Sequence, residues 1–335
     1  MNTETISAKE KYRMALEVLK PFCKKNIPLA VFQAAFIFLA IVGLTVLSYF
    51  LYEISIWWSV LMIPGITAFL CRSYVIEHDC GHQSFFRKKS SNAFVGNIFG
   101  FMNLIPYEMW KYIHDSHHNH VGNLDKRHLN PELWTMTVNE YNVSSKKKKV
   151  LYHMIRSKAS RLIFAPWLIF AVIFRIPHKR LDRPALISVI VYDLLYVVVI
   201  YFLLQIMPLG KLLFIYGIPL YLFWGIASYV FYAQHQFEDT YWEKQDKWTY
   251  EEATFLGSTY LTSPAWFNWM SGNVGYHNIH HLISSIPNYN LEKAQHALGD
   301  ILEFKPISIF KVYGLLELKL WDEKKKKLVG FGSIE

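Results

Sequence analysis

The chain has 335 residues; 53% are hydrophobic, 17% aromatic and only 18% charged. That charge fraction lies below the roughly 25% of soluble globular chains, and the apolar residues come in blocks, which excludes an ordinary soluble fold and points to an integral membrane protein. A formal net charge of +9 in such a chain reports contact with anionic headgroups and not with nucleic acid, and three scattered cysteines exclude a disulfide framework.

The first 27 residues are polar and lack the apolar stretch and small-residue site of a cleavable leader. A membrane-crossing helix needs about 20 mainly apolar residues. The first predicted span is Pro28 to Tyr52. The second starts at Ile54, is apolar to about Cys71, is placed at 54–77 and continues as helix toward His82. The third is Leu186 to Met207 and the fourth Leu212 to Ala233. Short connections make each consecutive pair a helical hairpin. Ala93 to Pro106 and Ile163 to Phe174 are too short to cross and read as helices lying in the interface. Asp193, inside the third span, is unusual because a carboxylate in hydrocarbon is costly. Lys146 to Lys149 and Lys324 to Lys327 read as solvated charge runs, and Leu318 to Phe331 as two short strands around a lysine-rich turn.

Basic residues test this layout. Six Lys and Arg precede the first span, eighteen lie between Arg72 and Arg183, ten follow the fourth span, and only Lys211 falls in an outer connection. By the positive-inside rule the populated side is cytoplasmic. The expected architecture is mainly α: one domain over 1–335, with four spans and a cytoplasmic helical cap from 78–185 and 234–335.

Nine of the 14 histidines carry the functional signal. Eight form three clusters: His78 and His82; His114, His117 and His118; His277, His280 and His281. The ninth, His235, follows the fourth span. On a helix, spacings of three and four put side chains on one face, so each cluster aims its imidazoles at one point. Neutral imidazole is the commonest ligand for Zn, Cu, Fe and Ni. A chance H-x-x-H-H is expected on the order of 0.02 times in a chain of this composition, and two copies occur. Nine ligands exceed the need of one ion and suit two. The layout puts all nine on the cytoplasmic side. The other five, His120, His128, His153, His178 and His296, have no such company and read as surface or structural residues.

The chain lacks H-E-x-x-H, G-x-S-x-G, G-x-G-x-x-G and G-x-x-x-x-G-K-[ST], so no zinc-protease, serine-hydrolase, dinucleotide or ATP site is evident. A two-metal site of nitrogen ligands at the bilayer surface suits oxygen activation on a lipid-anchored chain. Composition alone does not choose iron over zinc or copper. A metal transporter is the competing class, but transport ligands belong within the spans near the midplane, whereas these lie at span ends and in the cap.

The chain resembles the membrane fatty acid desaturase family, closest in local context to bacterial acyl-lipid desaturases. The resemblance rests on Glu77 to Phe86 (EHDCGHQSFF), His114 to Asn119 (HDSHHN), Phe231 to Glu238 (FYAQHQFE) and His277 to Leu282 (HNIHHL) followed by Ile286 to Tyr289. It implies a nonheme di-iron centre, O₂ as co-substrate and a cis double bond introduced into a membrane-bound acyl chain. The nine histidines are then the iron ligands. It also implies a bacterial cytoplasmic-membrane location. No cytochrome b5 module is recognisable in the chain, so the electron donor is expected to be separate, a ferredoxin or flavodoxin. Asp79, Asp115 and Asn278 are candidates to orient imidazoles. Acyl-CoA members of the superfamily carry a helpful asparagine where this chain has Phe231, and Asn273 is a candidate substitute. The same boxes serve di-iron fatty acyl hydroxylases and carotenoid oxygenases, which remain alternatives. Bond position, chain length and headgroup do not follow from box spacing.

Overall fold

The structure is a computed structural model, and it describes residues 7–129, 134–178, 180–299 and 304–333. Four helices are long and apolar enough to cross a membrane: Ile27–Ile54, Ile56–Gly81, Arg183–Ile206 and Leu209–His235. The first is capped by Asn26, whose side chain accepts from the Leu29 amide, with Pro28 in its first turn where a missing N–H costs nothing. The third is capped in the same way by Asp182. Most of the first and third spans faces outward, whereas half of the second is buried, so the second is the central helix.

The second span is not one unbroken helix. A short piece, Ile56–Val60, precedes Ile63–Gly81, and Pro64 sits in the first turn after the break. The helix then continues to Gly81 with His82 as its C-cap. The Ser48 and Ser59 hydroxyls bond at 2.6 Å across the first hairpin. Lys211, at the start of the fourth span, pairs with Glu53 at the end of the first and lies 3.4 Å from the centroid of the Tyr49 ring. This pair ties the turn of the first hairpin to the turn of the second.

The central core joins the second and fourth spans through Leu70, Ile76, Phe223 and Trp224. Against the C-terminal half of the second span packs Lys89–Asn103. Asn92 closes the loop after His82: its Oδ1 accepts from the Phe86 amide and its Nδ2 donates to the Phe86 carbonyl. Tyr107–His120 follows and packs Met109 against Val189 of the third span. Near the C-terminus Leu320–Asp322 and Lys327–Val329 form the antiparallel hairpin foreseen around the lysine turn, extended by Met136–Thr137 in parallel.

The apolar run at Ile163 to Phe174 lies in a helix, Ser160–Arg175, bent 56° from Lys146–Ile155, and the pair together is long enough to be a broken span. Parity argues against a crossing there. Histidines before and after it converge on one cluster, and two spans already intervene. Asp193 is accounted for by Arg175, whose Nη1 lies 3.2 Å from its Oδ1.

Candidate metal centre

All nine histidines meet. Among the described residues two groups place one ligand atom from each member within 4.8 Å of the others: His78, His82, His114 and His280, and His117, His235, His277 and His281. His118 lies between them. Its Nε2 is 3.2 Å from His114 Nε2 and 2.9 Å from His280 Nε2, while its ring stacks on His281 with centroids 4.3 Å apart.

Helix geometry explains the sorting. Each residue turns the helix by about 100°, so a residue four positions on is displaced about 40° and one three positions on about 60° the other way. His118 therefore stays beside His114 while His117 swings to the second group, where its Nε2 is 3.1 Å from His235 Nε2. In His277–Leu282 the same rule keeps His281 beside His277, at 3.0 Å between Nε2 atoms, and sends His280 to the first group.

The donor set fits metal. Two nitrogens on one ion with bonds of about 2.1 Å lie within about 4.2 Å of each other, and the Nε2 separations of neighbouring histidines are 2.9–3.2 Å. His82 Nε2 is buried with no hydrogen-bond partner among the described residues, a loss that a bound cation would remove. The Gly257 carbonyl can only accept, so the proton of His235 sits on Nδ1 at 2.8 Å from it, and the Nε2 lone pair faces the cluster. Burial, reinforced by repulsion among neighbouring histidines, pushes His114, His117, His118, His277, His280 and His281 well below the usual imidazole range. They are neutral at pH 7, the state a ligand requires.

The supporting residues differ from the sequence expectation. Asp79 Oδ1 lies 3.6 Å from His78 Nδ1, too long for a hydrogen bond. Its Oδ2 accepts from both the backbone and side-chain N–H of Asn288, at 2.7 and 2.8 Å. Asp115 pairs at 2.6 Å with Lys111 on a half-exposed surface. Asn278 donates to Gln295, joining His277–Leu282 to Leu291–Leu298, and Asn273 donates to the Asn288 carbonyl. Phe231 lies with its ring centroid 5.1 Å from those of both His117 and His235, so an apolar ring stands beside the second group. Two contacts escaped the sequence reading. Trp110 stacks on His114 at 4.6 Å, which its four-residue spacing on one helix would have signalled. Glu77 is fully buried and accepts from Asn103 at 2.9 Å, a pairing distant in sequence. His120 bonds the Ser116 carbonyl, His153 bonds Tyr141, and His178 accepts from the Arg180 amide; His128 and His296 are exposed.

A narrow cleft leads to the cluster. One wall is Cys71, Tyr74, Val75 and His78, successive positions on one face of the second span; the other is Phe223, Ile226, Ala227, Val230 and Phe231 of the fourth, and Phe267 and Met270 close one side. His78, His114 and His277 line it, so it reaches members of both groups.

A family profile described as Fatty acid desaturase matches residues 55–313. A Fatty acid desaturase of Bacillus subtilis is 32% identical over 336 residues, covering 100% of this chain and 94% of its own. An sn-1 oleoyl-lipid 12-desaturase of Picosynechococcus is 28% identical over 76% of this chain and 72% of its own. An sn-1 acyl-lipid omega-3 desaturase (ferredoxin) of Synechocystis is 26% identical over 68% of this chain and 64% of its own. The chain belongs to the fatty acid desaturase family and is an oxidoreductase of that family.

Proposed function

We propose that this protein is an O₂-dependent acyl-lipid desaturase that introduces a cis double bond into a membrane-bound acyl chain, with two iron ions held by His78, His82, His114, His117, His118, His235, His277, His280 and His281. The observation that carries this reading is the apolar cleft ending on histidines of both groups. An alkyl chain suits such walls, and neutral imidazoles leave no competing charge at its end. With O₂ and two external electrons, bound iron would supply the oxidising power to remove hydrogen from an unactivated methylene. The protein's own residues hold the ions, exclude water through Phe223, Val230 and Phe231, and align the chain against the cluster.

Two electrons per turnover require a donor, and the Synechocystis relative is named for ferredoxin. A ferredoxin or flavodoxin is the donor class we assign. The near-complete segregation of Lys and Arg to one side of the spans supports a bacterial cytoplasmic membrane with the centre facing the cytoplasm. The test is turnover by the purified, iron-loaded chain in lipid with reduced ferredoxin and O₂. An alkene in the acyl chain supports the reading; a hydroxylated chain without alkene moves it to a hydroxylase.

A further inference from the structure

A second cleft lies where the first span begins. Lys24, Lys25 and Arg87 line it together with Phe22, Ile27, Pro28 and Asn290. Lys24 and Arg87 are exposed and Lys25 is partly so. Among the described residues none of the three cations has a carboxylate partner, whereas Lys111, Lys158, Lys211 and Lys326 all do. Three like charges gathered without an anion repel one another. An anion from outside the chain would relieve that repulsion.

The setting limits that anion. Ile27 and Pro28 are the first residues of a 28-residue apolar helix, so the cleft stands at the level where hydrocarbon gives way to headgroups. Phe22, Ile27 and Pro28 give its lining an apolar part, and Lys24, Lys25 and Arg87 a cationic one. The open space is about 590 Å³, in the range of small-molecule sites and far more than a bare inorganic ion fills. A phosphodiester with glycerol and the start of an acyl chain matches the cationic and the apolar lining together.

We propose that this cleft is a binding site for the headgroup of an anionic phospholipid, with Lys24, Lys25 and Arg87 around its phosphate. The site is tied to the histidine cluster. Asn290 donates to the Phe22 and Lys24 carbonyls, the Asn26 amide donates to Tyr289, and the adjoining Asn288 holds Asp79 beside His78. A lipid seated here braces the loop that follows the third histidine box.

The experiment is native mass spectrometry of the full chain released from phosphatidylcholine nanodiscs doped with phosphatidylglycerol. The expected result is one retained phosphatidylglycerol per chain, lowered about tenfold or more in the triple variant Lys24→Gln, Lys25→Gln, Arg87→Gln. The charge-matched variant Lys146→Gln, Lys147→Gln, Lys148→Gln, in an exposed run, keeps it. Arg87→Gln alone gives a smaller loss in the same direction and covers poor folding of the triple variant. Equal losses in the two triple variants, or unchanged retention, would overturn the site. Displacement of the lipid by equimolar inorganic phosphate would show a free-anion site and overturn the lipid assignment.

Discussion

His117 and His118 are neighbours in sequence and part company in space: His117 Nε2 lies 3.1 Å from His235 Nε2, whereas His118 Nε2 lies 3.2 Å from His114 Nε2. One helix thus feeds both halves of the cluster. His117→Ala should lower bound iron per chain and abolish product. His120→Ala, whose ring is turned to the Ser116 carbonyl, should leave both near the parent level. Metal analysis beside product analysis checks the contrast.

Asn288 holds the buried Asp79 carboxylate through two N–H groups. Asn288→Ala removes the side-chain bond to a charged acceptor, a loss of about 1.5–3 kcal/mol. The thermal midpoint should fall, and iron affinity should drop on the order of 10-fold, because His78 is the residue next to Asp79. A thermal midpoint and iron affinity equal to the parent would contradict this bracing role.

Filling the cleft should separate access from metal binding. Ala227 lines it with Cys71 and Phe267. Ala227→Trp should cut desaturation on the order of 100-fold by displacing the chain from the cluster, with iron content unchanged. Iron and product falling together would mean that the substitution acts on the fold.

The six buried cap histidines whose pKa values are depressed set a pH dependence. As pH falls through about 6.5, the unfolded chain takes up protons that the folded chain refuses, so stability falls with acidification. It is fully present above that pH. Thermal midpoints of the metal-stripped protein should drop below pH 6.5, while the iron-loaded protein, whose folded imidazoles resist protonation, should keep its metal to a lower pH.

Lys319 gives the opposite end of the pH scale. Burial, reinforced by Arg156, pulls its ammonium down to about 8 from 10.5. Below pH 8 both states carry the proton and the folded state bears the cost of the charge. Between 8 and 10.5 only the unfolded chain keeps it, so stability rises with pH. Lys319→Met should flatten that rise in a denaturation series.

Much of this was legible in the sequence because its signals are local. Apolar runs of helix length mark the four spans, and the three- and four-residue spacings decide which imidazoles share a helix face. The halves to which His117 and His280 go also follow from helix rotation. What the sequence concealed is non-local. The pairing of Asp79 with Asn288 crosses more than half the chain, as does the bond between Asn26 and Tyr289, and no period announces either. Asn273 and Asn278 looked available beside the third box, yet each side-chain N–H is given to a residue further along the chain, Asn288 and Gln295. The break before Ile63 had a local signal in Pro64 and Gly65, masked by the apolar run on either side that makes the segment long enough to span.

The most direct test is the acyl-chain profile of a bacterial host expressing this protein beside His117→Ala, with a competent electron donor. The account predicts a new unsaturated acyl chain in the lipids with the parent and none with the variant. A folded, iron-loaded parent that yields no new alkene would contradict it.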